Sequence, residues 1–369
     1  RVRSSAASDV YKRQLIWFCL FVFSLLEINN LQKEHSFFLF AISTFFLFFL
    51  SFVRWETGTD WDGYYEYFNH IFYYFQDSDF EFGFARINEI IKLTFGNYTI
   101  LLFVFSCIIF FFQTKVILKY SPLPLFSLFF LWSISFANVF YIRQTVAIAL
   151  LFYSTTFLVN KKTWLFFICI YIATLFHSTS FVFVFAYFLF RLRITIKQMF
   201  FFLLMSFLFS IFLVSIFNSI LPLVGGIIQH KLETYLALGE DGGTMTQSSL
   251  GEVLIRGIAN KLFIFVLLIY FSSKEMKENL IFRGYLNLYW FGAILYFSMA
   301  SISIVFVRFS FPYDIVQVIL LPLLLKNVSS NNRYVLYAII SVFLLFRFYI
   351  TLFGSYYDLY VPYKTIFQL

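Results

Sequence analysis

Arginines, a histidine and carboxylates interrupt long apolar runs at only a few places in this chain. An ionisable group at membrane depth is costly, so each is a functional candidate. Arg143 and Gln144 stand between two apolar runs in NVFYIRQTVAIALLF. On a helix Arg143, Ala147 and Leu150 share a face, which puts the guanidinium at the mouth of a span. An interfacial arginine that snorkels to the headgroups is the structural alternative. His177 stands in FHSTS, and a neutral imidazole near pH 7 can accept a proton. A hydrogen-bonded buried histidine is the alternative there. Arg308 interrupts another run in VFVRFSFPYD, six residues before Asp314. The choice at Arg308 lies between a ligand-binding cation and an Arg308–Asp314 ion pair. Arg54 opens RWETGTDWDGYY and runs directly into Asp60, Asp62 and Tyr64. Glu27 lies near the end of the first run, where solvation is expected.

Three outer-side arginines with a histidine and carboxylates suit one kind of chemistry. A guanidinium recognises phosphate oxygens in a planar, bidentate way. A lipid-linked diphosphate presents such oxygens at a membrane interface. Its departure develops negative charge that fixed cations stabilise, and a nearby base can take the proton of an acceptor hydroxyl. No metal and no cofactor is required for that chemistry. Aromatic rings beside Asp60 and Asp62 suit sugars, whose apolar faces stack while their hydroxyls hydrogen-bond. An interfacial aromatic belt is the alternative reading of the rings. A transporter for an anionic lipid could use the same arginines.

The elements that must position these groups are set by composition. Of 369 residues, 61% are hydrophobic, 24% aromatic and 12% charged, with 59 Phe. A soluble domain has about a quarter of its residues charged, so a soluble enzyme is excluded, as are disordered and fibrous chains. The apolar runs are continuous rather than alternating, so they read as helices and not as a barrel. The expected fold is therefore all-α: a polytopic membrane protein with about twelve transmembrane helices, some short or re-entrant. They are read at 15–31, 36–53, 98–118, 123–141, 144–160, 162–176, 178–190, 198–221, 258–271, 285–306, 311–325 and 334–353. Residues 163–190 could form one helix of about 42 Å. Basic residues flank both ends, however, so a hairpin turning near His177-Ser178 is expected, with its turn recessed in the membrane.

With the loop after the second span placed outside, the inner loops hold Lys33, Lys115, Lys119, Lys161, Lys162, Arg191, Arg193, Lys197, Lys274, Lys277, Arg283, Lys326 and Arg333 against Glu34, Glu275 and Glu278. That asymmetry sets the orientation. Two long extracytoplasmic loops follow, at 54–97 and 222–257; the second, with Gly225-Gly226, Gly239 and Gly242-Gly243, suits a mobile lid. Residues 1–14 (RVRSSAASDVYKRQ) are polar and unlike the rest, and read as a non-native sequencing or vector scar; residues 15–369 then form one integral membrane domain. The net charge of +8 thus reflects that stretch and the cytoplasmic loops, and nucleic acid is not an expected partner. Cys19, Cys107 and Cys169 lie far apart in apolar runs, and the four histidines have no metal-ligand spacing.

The chain resembles the EpsG family, within the broader Wzy-type bacterial polysaccharide polymerases. The resemblance rests on Arg54–Gly63 followed by Tyr64, Tyr65 and Phe68, on Glu81–Phe84 (EFGF), on Ile142–Ala147 (IRQTVA) and on Ala173–Ser180 (ATLFHSTS). Arg308 with Phe311-Pro312-Tyr313, and Val361–Lys364, are weaker echoes; Thr145 departs from the small apolar residue more common there. The resemblance implies a membrane glycosyltransferase that extends an exopolysaccharide or O-antigen. It would join repeat units carried on undecaprenyl diphosphate at the outer face of the bacterial inner membrane, beside a flippase and a chain-length regulator. It implies Arg143 and Arg308 on the diphosphate with Arg54 helping, His177 or Asp60 as base, and Gln144, Asp62 and Tyr64 as further substrate contacts. A glycan ligase, another lipid-sugar-dependent glycosyltransferase and a flippase or exporter remain alternatives.

Overall fold

A computed structural model describes residues 2–74, 80–224, 250–302, 304–354 and 356–368. Long apolar runs close their backbone hydrogen bonds internally as helices, the economical solution where water is absent. Five helices among the described residues are long and apolar enough to cross a membrane: Lys33–Val53, Tyr98–Tyr120, Gly251–Phe271, Arg308–Asn327 and Ser330–Phe353. Shorter apolar helices stand between them. Exposed apolar side chains such as Phe38, Phe45 and Val342 form surfaces that water would not tolerate at this extent. Among the described residues the architecture is all-α, apart from one pair of two-residue strands, β1 (Arg54–Trp55) and β2 (Lys364–Thr365).

The chain forms two compact units, one of Arg1–Phe181 with Leu321–Leu369 and one of Val182–Leu320. The first unit contains α1 (Val2–Ile28), α2 (Lys33–Val53), α3 (Trp61–Asn69), α4 (Ile71–Tyr74), α5 (Phe82–Thr94), α6 (Tyr98–Tyr120), α7 (Pro124–Ser135), α8 (Arg143–Val159) and α9 (Thr163–Thr174). Their ends follow local chemistry. Asn97 caps α6 by accepting from Thr99 N at 2.8 Å, and Pro124 opens α7 at a position where its missing N–H costs nothing. Arg13 of α1 pairs with Asp9 at 2.9 Å, lies over the rings of Phe136 and Phe140 and donates to Tyr360 O.

Several boundaries differ from the sequence reading. The stretch 54–97 is largely helical, because Trp61–Asn69 and Phe82–Thr94 each have an apolar face to bury. Of 222–257, residues 225–249 with their glycines lie outside the described residues. The remainder, Leu250–Gly257, is helix, continued through a π turn at Ile258–Leu262 into Phe263–Phe271. Leu250, Val253, Leu254, Gly257 and Ile258 recur at helical spacing, which extends the segment past the apolar run alone. The span read at 285–306 starts at Leu280, where Asn279 accepts from Ile281 N and Phe282 N, and ends at Met299. The run 163–190 is not one continuous helix: it is broken after Thr174, a few residues before the His177-Ser178 position of the expected turn, and resumes as a 3-10 segment at Ser178–Phe185.

Glu27 is not solvated. It is 7% exposed and accepts from Leu125 N at 3.3 Å and Phe126 N at 3.0 Å, with Ser36 Oγ at 2.5 Å. A carboxylate at the start of α7 satisfies orphan N–H donors and faces the positive end of the helix dipole.

Helix α7 stops early. Phe136, Ala137 and Asn138 follow with φ of 49°, 50° and 65°. Three consecutive non-glycine residues in the left-handed region are strained and must be held from outside. Ser51 Oγ donates to Val139 O at 3.2 Å, and Arg54 donates to Phe140 O. This turn delivers the chain to Arg143.

Candidate functional site

Helix α9 runs out at Thr174, so the carbonyl of Leu175 has no helical partner. It accepts instead from Gly83 N at 2.7 Å and Phe84 N at 3.3 Å. A Cβ on Gly83 would lie 2.8 Å from that oxygen and 2.9 Å from Leu175 Cβ. Only glycine allows the EFGF segment to dock this closely on the FHSTS segment.

That docking places Glu81. Its Oε1 accepts from Ser178 N at 2.9 Å. Its Oε2 lies 3.3 Å from Arg143 Nη1, at the first turn of α8. One carboxylate therefore joins the arginine–glutamine motif to the histidine motif. The Arg143 guanidinium also lies over the Phe80 ring, 5.1 Å from its centroid. Phe80 in turn contacts Tyr64, Tyr67 and Phe84, so a floor of aromatic rings lies beneath the charges. Three buried polar atoms in this cluster have no hydrogen-bond partner: Arg143 Nε, Gln144 Nε2 and Glu81 Oε2.

His177 is buried, with Nδ1 2.7 Å from Thr179 Oγ1 and its backbone N–H on Ala173 O at 3.0 Å. Tyr64 is buried, and burial with the nearby Asp60 carboxylate pushes its phenol pKa upward. Asp60 Oδ2 lies 3.5 Å from Tyr64 Oη. Asp60 and Asp62 are themselves exposed. Arg143, Gln144, His177, Tyr64 and Asp60 thus belong to one neighbourhood.

Arg54 is enclosed. It is 2% exposed, and its Nη1 donates to Thr57 O at 3.2 Å and to Phe140 O. A Cβ at Gly58 would lie 2.9 Å from Arg54 Nη1, and Gly58 has φ of 122°. Burial lowers the guanidinium pKa from its ordinary value, but arginine remains a cation. Its Nη1 is thus directed to backbone carbonyls, while its Nε is buried with no hydrogen-bond partner. The C-terminal Val361–Lys364 motif closes on the same place: Lys364 pairs in register with Trp55 and donates its N–H to Thr57 Oγ1 at 3.2 Å.

Arg308 belongs to the second unit, exposed on the 3-10 turn Arg308–Ser310. Of the two alternatives at Arg308, the ion pair with Asp314 is not among the ion pairs of the described residues. Asp314 is taken by Lys261, whose Nζ lies 2.6 Å from Oδ2 and also bonds Oδ1. Lys261 is 5% exposed on the π turn, and Tyr289 Oη donates to its carbonyl at 2.9 Å.

Sequence reasoning missed two of these residues. In the sequence Glu81 stands only as part of the EFGF motif, and nothing local points to Arg143 or Ser178. Lys261 is a lone charge in an apolar run, and the cost of charge at membrane depth was the signal that could have found it. Among the described residues no cluster of three or more His, Cys, Asp or Glu could hold a metal ion.

The ends of the helices are ordered. α2, α7 and the Ser330–Phe353 helix finish, and α6 and α8 begin, at the end where Arg54, Glu81, Arg143 and His177 meet. Lys33, Lys115, Lys119, Lys161 and Lys162 lie at the opposite ends of α2, α6 and α8. A family model described as the EpsG family matches residues 37–365, a span that contains every one of these site residues. No curated protein and no solved structure matches the chain significantly.

Proposed function

The chain belongs to the EpsG family, and on that premise we propose that it polymerises lipid-linked oligosaccharide repeat units into a surface polysaccharide. The observation that supports this reading is the bridge made by Glu81 between Arg143 and the Ser178 amide beside His177. It gathers a phosphate-recognising cation, a proton acceptor and unpartnered polar atoms at the helix ends opposite the lysines. By the positive-inside rule that end faces outward, in a topology of about twelve spans in the bacterial inner membrane.

In this reaction the donor repeat unit is held on undecaprenyl diphosphate. Arg143 neutralises charge developing on the diphosphate as the glycosidic carbon leaves it, and Gln144 offers a further donor. His177 or Asp60 takes the proton of the acceptor hydroxyl. Tyr64 and Asp62 face the sugar. Arg54 holds the turn that carries Arg143, and its contribution to the diphosphate is indirect. A flippase supplies the substrate and a chain-length regulator limits the product.

Deletion should leave single-repeat glycan in place of long chains on a gel of surface polysaccharide. Chain length unchanged by the deletion would overturn the proposal. Accumulation of lipid-linked repeats inside the cell would indicate an exporter instead, and transfer of finished glycan to another lipid would indicate a ligase.

A further inference from the structure

Arg143 and the Ser178 N–H approach the same small volume from different segments, and a carboxylate of the protein already sits there. Glu81 accepts from Ser178 N at 2.9 Å through one oxygen, and its other oxygen lies 3.3 Å from Arg143 Nη1. That second oxygen makes no hydrogen bond, and neither Arg143 Nε nor Gln144 Nε2 has a partner. The Glu81 and Arg143 side chains are 18% and 22% exposed. The cationic donors are thus half-engaged by a side chain that is not tied to its own helix, since Glu81 has extended backbone and makes no side-chain cap to α5.

A carboxylate and a phosphate present similar oxygen pairs to a guanidinium, but the phosphate has more oxygens and more charge. We propose that Glu81 is a stand-in for a diphosphate oxygen, an internal anion that the lipid diphosphate displaces from Arg143 and the Ser178 amide. The diphosphate then engages the donors that Glu81 leaves unpaired. The carboxylate makes the seat selective, because a weaker anion does not compete it away. It also keeps Arg143 from holding a stray anion. This inference rests on the diphosphate role given to Arg143 above.

The test is binding of undecaprenyl diphosphate, without sugar, to the full-length protein in lipid nanodiscs, with undecaprenyl monophosphate as comparison. Glu81→Gln keeps the shape and the acceptor for Ser178 but removes the competing charge. It should bind the diphosphate about three-fold or more tightly than wild type, and should narrow the preference for diphosphate over monophosphate. Glu81→Asp retains the charge on a shorter arm that cannot span both donors. It should tighten binding by a smaller factor, and it decides the matter if the glutamine variant does not assemble. Equal or weaker binding in the assembled variants, with binding abolished in Arg143→Ala, would overturn the displacement while leaving the diphosphate reading intact. Equal binding by wild type and Arg143→Ala would instead overturn the diphosphate reading, and the displacement with it.

Discussion

Arg54 Nη1 donates to the backbone carbonyl of Phe140, 86 residues further along the chain. Phe140 follows three left-handed residues, Phe136, Ala137 and Asn138, and precedes Arg143 by three positions. The charge of one motif therefore holds the backbone that presents the charge of another. A strained turn persists only where its surroundings over-determine it, and here Ser51, Arg54 and Gly58 surround it.

Arg54→Ala should then lower stability, by about 1–3 kcal/mol for the buried carbonyls it leaves unpaired. Arg54→Lys should recover only part of the loss, because an ammonium cannot reproduce the guanidinium's fork. Thermal unfolding of the detergent-purified protein reads the effect. A melting curve unchanged in Arg54→Ala would show that the turn stands without its clamp.

Gly83→Ala brings a Cβ within 2.8 Å of the Leu175 carbonyl. The backbone of both segments must part, at a cost of roughly 1–3 kcal/mol. The separation also removes Glu81 from Ser178, so glycan chain length should fall more than protein abundance does. Normal chain length in Gly83→Ala would mean that this close docking does not support activity.

Arg143→Ala and His177→Ala should each reproduce the single-repeat glycan of the deletion while the protein remains inserted at wild-type level. Immunoblotting of membranes beside the glycan gel separates the two effects. Long chains in both variants would remove these residues from the site.

The Lys261–Asp314 pair should behave as a buried ion pair in which one partner is largely enclosed, with side-chain exposures of 7% and 27%. Lys261→Met removes the cation that bonds both Asp314 oxygens and should cost about 1–3 kcal/mol. The double variant Lys261→Met/Asp314→Leu should be more stable than Lys261→Met alone, since it removes the part-buried carboxylate together with its cation. A double variant less stable than the single one would show that the pair does more than neutralise itself.

The helical architecture was legible because it follows from local properties. Apolar runs of spanning length become helices wherever they sit in the chain. The run 163–190 showed its break because charges flanked both ends, and Ser178–Phe185 does resume after an interruption. The stretch 54–97 carries the amphipathic helices α3 and α5, whose polar faces set it apart from the long apolar runs. The motifs were legible as short strings, and the family match over 37–365 agrees with them.

Which charge meets which was decided by packing between segments distant in sequence. Glu81 reaches the Ser178 amide across 97 residues, and Asp314 is claimed by Lys261 across 53 rather than by nearby Arg308. Glu27 finds the start of α7 instead of solvent, and Arg54 turns into the protein. Hydrophobic length and periodicity act within a segment, so the sequence alone determined the helices and the kinds of group available. An ion pair or a buried cap depends on which helix ends are brought within about 3 Å, and only the tertiary structure decided that.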